Sequence, residues 1–260
     1  MFDLVVIGGG AAGYFAAISA AELSHTPLKI IILESTKLSL QKVKVSGGGR
    51  CNITHHCYEP KKLIENYPRG AKELLGAFYK WGPKNQLEWF KKHGVDHHVE
   101  ADGRIFPHTN RSSTIIQLFQ ELCKKFNIQI RHSQLVTQIK KEDEQFTVIS
   151  EQEFFKGKQV LMATGSGKGG HNLAVNLGHT LSPVCPSIFT FKSKDKEFTE
   201  LSGVSLPNVT VRLKVDKKKF LTTGPLLFTH WGYSGPAILK LSAFAAVSYT
   251  HLTLPTIYSV

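Results

Sequence analysis

The sequence predicts an α/β fold built on a parallel sheet, and three observations carry that prediction. The opening FDLVVIGGGAAGYFAAISAAE reads as a β-favouring apolar run over residues 3–7, a glycine turn and an alanine-rich helix. Gly8, Gly10 and Gly13 fall at the G-x-G-x-x-G spacing between strand and helix. A second apolar run, LKIIILE, then ends on an acid, Glu34. Two strands joined through a helix form the unit from which parallel sheets are made.

Each residue of the turn has its own chemistry. Gly8 permits the sharp turn, Gly10 lets a pyrophosphate approach the backbone, and Gly13 lets the helix pack against the strand. Gly9, Ala11 and Ala12 complete the turn and the first helical residues, whose free N–H groups and dipole favour an anion. Glu34 can accept hydrogen bonds from the ribose hydroxyls of an adenine dinucleotide and disfavours a 2′-phosphate. The competing reading is a plain tight turn without a ligand.

A second glycine cluster follows in Ser46-Gly47-Gly48-Gly49-Arg50-Cys51-Asn52. Three adjacent glycines do not sit comfortably inside a helix or a strand, so they mark backbone that something must approach closely. Arg50 can neutralise phosphate or orient a ring oxygen, and Asn52 can donate and accept hydrogen bonds. An ordinary loop with a surface arginine is the alternative.

Composition narrows the class. The chain has 260 residues, 42% of them hydrophobic, enough for one large domain or two small ones. No apolar run reaches the length of a membrane span, and no basic segment precedes the first apolar stretch, so neither anchor nor signal peptide is expected. Four cysteines do not make a disulfide scaffold and point to the cytoplasm. The net charge of +12 brings nucleic acid into consideration. Its short clusters, such as Lys124-Lys125 and Lys140-Lys141, read instead as solvated surface.

GGGAAG, SGGGRCN, DGRIFP, LMATG, NLGHTLSP and THWGYSGPAIL occur in this order. With them the chain resembles the aminoacetone-oxidase-like NAD(P)/FAD-dependent oxidoreductases, within the larger group that has a glutathione-reductase-like FAD-binding domain. The resemblance covers about residues 1 to 246. It implies FAD as cofactor, with the first glycine cluster at the pyrophosphate and SGGGRCN toward the flavin. It also implies a Rossmann-like FAD-binding domain with a parallel sheet and a β-meander over 1–190. The start of an inserted, mainly β second domain would occupy 191–247. Residues 248–260 depart from the family pattern and read as a foreign or artefactual tail on a truncated member.

The remaining elements follow in order. KNQLEWFKKH, closed by Gly94, predicts an amphipathic helix. Residues 112–126 place Ile115, Phe119, Leu122 and Phe126 on one helical face. From Ile128 to Ser150, short β-like runs around KKEDEQ predict the meander, and KQVLMATG a buried strand ending at Thr164 and Gly165. By the resemblance, the backbone at Val136 faces adenine and the turn at Thr164 and Gly165 comes close to the cofactor. GSGKGG also has the G-x-G-x-x-G spacing, but no strand ending in an acid follows it, so a separate NAD(P) site is not expected there.

Cys51, His55, His56 and Cys57 lack the paired spacing of a zinc site, and no metal is expected. Cys51 without a C-x-x-C partner reads as a packing or cofactor contact ahead of a redox thiol. His97-His98 reads as exposed. In THWGYSGPAIL, Ser234 is expected to cap the helix that Pro236 begins. His230 is the candidate catalytic acid or base, against a structural alternative. The resulting expectation is an FAD-dependent oxidoreductase passing a hydride through flavin N5 between NAD(P)H, or a small-molecule donor, and an acceptor. A tRNA-modifying flavoprotein and a nonfunctional fragment are the alternatives.

Overall fold

A computed structural model describes residues 1–184, 186–193, 200–215, 218–246 and 256–259. The chain forms two compact units, residues 1–60 with 76–182 and residues 61–75 with 183–260. The sequence-based boundary after residue 190 falls within the second.

The first unit is organised by a six-stranded sheet. Strands β1 (Phe2–Ile7), β2 (Ile30–Leu33), β6 (Gln129–Arg131), β7 (Val136–Glu142), β8 (Gln145–Ser150) and β9 (Phe154–Met162) lie in the order β6-β2-β1-β9-β8-β7. The pairs β6·β2, β2·β1 and β1·β9 are parallel, and β9·β8 and β8·β7 are antiparallel. The parallel sheet and the meander are therefore one hydrogen-bonded surface.

Successive strand residues point to opposite faces, and here both faces are covered. Val6, Ile30 and Ile32 pack with Tyr14, Ala17 and Ile18 of α1 (Ala11–Leu23) and with Ile115, Leu118, Phe119 and Leu122 of α6 (Ser112–Lys125). Val5, Ile7, Ile31 and Leu33 pack on the other side with Val136, Ile139, Val148, Phe155 and Leu173, the last on α7 (Lys168–Asn176). This explains why IIIL is apolar at every position, each buried side chain stabilising the unit by about 2 kcal/mol. Residue Phe126, predicted on the α6 stripe, caps the helix and is only partly buried.

The predicted helix over KNQLEWFKKH is α5 (Pro83–Lys92). Asn85 Oδ1 accepts the Gly82 N–H at 3.0 Å at its start, and Gly94, at φ +77°, follows its end. A small antiparallel sheet, β3 (Thr54–His55), β4 (His97–Val99) and β5 (Arg104–Pro107), has the order β3-β5-β4. His97 and His98 are half-buried on β4, so their predicted exposure is corrected: pairing with β5 holds them against its side chains. The strand predicted buried over KQVLMATG is also corrected. Lys158 and Gln159 are exposed, and Val160 to Met162 only partly buried.

The second unit has a five-stranded sheet, β10 (Phe191–Lys192), β11 (Ser205–Val215), β12 (Lys218–Thr229), β13 (Gly232–Ser234) and β14 (Thr256–Ser259), in the order β10-β13-β12-β11-β14. All its pairs are antiparallel. Val211, Leu213, Leu226, Phe228 and Tyr233 meet Ala237, Ile238 and Leu241 of α8 (Pro236–Ala245). Within the predicted tail 248–260, Thr256–Ser259 pair with β11, and the other residues lie outside those described. Ser234 does not cap α8. It lies in β13, and Gly235, at φ +96°, takes the cap position without a side-chain hydrogen bond.

Candidate dinucleotide site

The glycine turn joins β1 to α1 at the place where the sheet changes direction, since β2 lies on one side of β1 and β9 on the other. In open α/β sheets such a switch point, outside the carboxyl ends of the strands, forms a crevice that ligands enter. The glycines divide into two kinds there. A Cβ on Gly8, at φ +113°, would collide with the Ala163 carbonyl, and one on Gly13 with the Gly8 carbonyl oxygen. A Cβ on Gly10 would meet no atom within 4 Å. Gly10 begins α1 with extended backbone and no side-chain cap, while Ala11 and Ala12 are exposed. The uncapped first turn of α1 thus begins beside open space that a side chain on Gly10 would enter.

Glu34 is built into this turn. Its Oε2 accepts the Gly9 N–H at 2.8 Å, and its Oε1 accepts the Thr36 N–H and Oγ1–H, both at 2.8 Å. Ser35 Oγ donates to the same Oε1 at 3.3 Å. Partial burial pushes the carboxyl pKa up, but the hydrogen bonds from Thr36, Gly9 and Ser35 outweigh it and hold it below the ordinary carboxylate value. A Cβ on Gly9 would stand 2.9 Å from Glu34 Oε2 and from Ser39 Oγ. Gly9, between the motif positions, is thereby constrained like Gly8 and Gly13 and unlike Gly10.

Helix α2 (Gln41–Gly49) begins beside the turn, where the Leu40 N–H donates to the Gly9 carbonyl at 2.9 Å. Helical geometry stops at Ser46, whose ψ is 146°, and Gly47, Gly48 and Gly49 have φ of +56°, +69° and +85°. Cys51 is also left-handed, at φ +63°. The second glycine cluster is thus a left-handed loop, held at both ends. A Cβ on Gly47 would stand 2.7 Å from the Phe106 ring, whereas one on Gly48 would meet nothing within 4 Å.

Arg50 lies over the Phe106 ring at 3.9 Å and forms an ion pair through Nη1 with Glu100 Oε1. Glu100 Oε2 also accepts from Arg104 Nη2 at 2.9 Å. The amide nitrogen of Asn52 donates to the Thr54 carbonyl at 2.8 Å and the Ile105 carbonyl at 3.1 Å in its satisfied orientation. Burial raises the Cys51 thiol pKa, against a lowering hydrogen bond with Ser46, so the thiol is no ready nucleophile. Among the described residues no group of three or more His, Cys, Asp or Glu could hold a metal ion.

Val136 begins β7 and packs in the cluster that contains Ile7 and Leu33, while the Gln134 N–H donates to the Glu34 carbonyl at 2.8 Å. The Ala163 N–H donates to the Ile7 carbonyl at 2.8 Å, so Thr164 and Gly165 emerge beside the first turn. Thr164 is pinned by α7, since a Cβ on Gly170 would collide with its side chain. Gly8 to Gly13, Glu34, Val136, Thr164 and Gly165 are therefore tied to one another through this unit. Ser39, Leu40 and Gly170 join them, and Glu100 and Phe106 hold the second cluster, by contacts for which sequence spacing gives no signal. His230 belongs to the second unit, exposed, with its ring 3.9 Å from that of Trp231.

The family model described as the HI0933-like protein Rossmann domain matches residues 2–235. The chain belongs to the HI0933-like family. This HI0933-like chain is 28% identical over 254 residues to the ribosomal RNA dihydrouridine synthase of Escherichia coli strain K12, covering 94% of this chain and 61% of that protein. It is 28% identical over 249 residues to the 3-dehydro-bile acid delta(4,6)-reductase of Clostridium scindens, covering 93% and 60%. The chain thus spans about three-fifths of the length of these relatives. Among solved structures, a flavocytochrome c3 fumarate reductase in its open conformation matches with a TM-score of 0.56 at 16% identity, over 79% of this chain and 47% of that one. That likeness establishes the fold. The expected Rossmann-like architecture of the HI0933-like chain is thereby borne out. Among its described residues no helix is long and apolar enough to cross a membrane.

Proposed function

We propose that the protein is an FAD-dependent oxidoreductase that reduces a carbon–carbon double bond conjugated to a carbonyl group. The observation that carries this reading is the open space at Gly10, before the uncapped start of α1 and at the β1/β9 switch point. It fits the pyrophosphate of a dinucleotide, with Gly8, Gly9, Gly10, Ala11, Ala12 and Gly13 around it. Among the described residues Oε2 of Glu34 accepts one hydrogen bond, from the Gly9 N–H, which leaves it acceptor capacity for a ribose hydroxyl. Val136 is assigned to the adenine side, and Ser46 to Asn52, with Thr164 and Gly165, to the middle and flavin end.

When bound, FAD supplies a hydride donor and acceptor at N5. The chain supplies orientation and charge. Glu100 and Phe106 hold Arg50 in one place, with Glu100 offsetting its charge, so its remaining N–H donors can meet the cofactor without first being ordered. NAD(P)H is the proposed donor.

The acceptor class comes from the relatives. Both names denote products with fewer double bonds, one a uridine ring and the other a steroid-like bile acid. An RNA substrate is the second reading, supported by the dihydrouridine relative and the net charge of +12. The test is the absorbance spectrum of the purified protein, followed by anaerobic mixing with NADH and NADPH. Flavin bands that bleach with one nucleotide, and recover with an enone or a uridine-containing RNA, are expected. A colourless protein that takes up no added FAD refutes the reading. RNA that co-purifies and is lost steeply with salt favours the second reading over a small-molecule substrate.

A further inference from the structure

Lys42 is exposed on the first turn of α2, next to the Leu40 N–H that is bonded to the Gly9 carbonyl. Its Nζ reaches the turn after β9, where a Cβ on Gly165 would stand 3.4 Å from it. Gly165, at φ +65°, presents only backbone to the ammonium. Because β9 is the neighbour of β1 across the switch point, this places the ammonium at the crevice between the first glycine turn and the turn at Thr164. Among the described residues Lys42 forms no ion pair, while Arg50 already has Glu100. The one carboxylate built into the turn, Glu34, directs its oxygens to Gly9, Ser35 and Thr36.

We propose that Lys42 is a ligand of the dinucleotide's phosphates, completing with its ammonium the anion site that the Gly10 turn begins. The inference rests on the FAD reading above and assigns the charge that reading leaves out. Backbone N–H groups at a helix start provide partial charges only, and a pyrophosphate carries two full negative charges, so a mobile ammonium beside the turn is the natural counter-charge. A lysine acts here as a point charge on a flexible stem and does not need the fixed fork of an arginine.

The test measures equilibrium binding of FAD and of ADP to the purified apoprotein, by fluorescence and calorimetry, for the wild type, Lys42→Gln and Lys42→Arg. ADP carries the pyrophosphate without the flavin. Lys42→Gln is expected to weaken both ligands about tenfold or more, with a shallower dependence on salt, and Lys42→Arg to recover most of the loss. Its circular dichroism should match the wild type, because the side chain is exposed. Unchanged affinity of Lys42→Gln for both ligands overturns the proposal while leaving the FAD reading intact. Weakened FAD with unchanged ADP overturns the assignment to phosphate. A wild type that binds neither ligand overturns the FAD reading itself, and this inference with it.

Discussion

The two glycine clusters differ in what makes glycine necessary. In the β1–α1 turn, Gly8, Gly9 and Gly13 are fixed by their neighbours, because an added Cβ would run into Ala163, Glu34 or Gly8 itself. In the loop that ends α2, Gly48 and Gly49 are fixed by their own dihedrals, with open space where a side chain on Gly48 would go and only the Lys44 carbonyl oxygen, at 4.0 Å, near one on Gly49. The first turn is a packed joint between a strand, a helix and an acid. The second is a left-handed loop tied by Gly47, Arg50 and Asn52 to the small sheet and by Cys51 to the core under α1 and α6. Gly10 belongs to the first turn in sequence and to the second kind in space. The lesson is that a glycine kept for fold and a glycine kept for a ligand can be separated by what stands beside the missing Cβ.

The strongest way to break this comparison is Gly13→Ala. Its methyl must enter backbone at Gly8, which has nowhere to move between β1 and β9, so a loss of at least about 3 kcal/mol or failure to fold is expected in chemical denaturation. A near-normal midpoint would show the joint to be loose. Gly10→Val should do the opposite, leaving the apoprotein's melting temperature within a few degrees of wild type while abolishing flavin retention. Equal flavin content in the folded variant would mean that the open space holds no ligand.

Glu34→Ala tests the acid that joins the two roles. Loss of its hydrogen bonds to Gly9 and Thr36 should cost roughly 1 to 3 kcal/mol in apoprotein stability, with a further loss in FAD affinity. The pH dependence carries a definite sign. The folded pKa lies below the unfolded value of about 4.5, so this stabilisation is complete above that value and disappears as pH falls through the folded pKa. Acid titration of wild type and variant should therefore converge at low pH, and parallel curves would show that Glu34 contributes nothing through its charge. The smallest effect is expected for Gly48→Ala, about 1 kcal/mol from left-handed strain alone, with no packing defect. A much larger loss would place the second loop in the same class as the first turn.

Much of the first unit was legible from local pattern. The strand, turn and helix at residues 2–23, the acid after β2, and the helices α5 and α6 depend on neighbours within a few residues, and periodicity and glycine spacing report those directly. The cap of α8 was misread, because Ser and Gly before a proline are both competent there and the choice depends on how β13 enters the helix. The exposure of β9 was misread because an apolar run does not say which neighbours cover its faces.

What the sequence determined by itself was the turn, its dihedral demands and the charge that follows it. Only the tertiary structure decided that Glu34 grips Gly9, that Glu100 and Phe106 immobilise Arg50, and that Lys42 faces Gly165. Those partners are distant in sequence: the parallel order of β2, β1 and β9 brings the segments carrying Glu34, Gly9, Lys42 and Gly165 together, and the pairing of β4 with β5 sets Glu100 and Phe106 against Arg50. Hydrogen bonds and ion pairs act over a few ångströms, and distance along the chain carries no record of which residues the sheet will place that close.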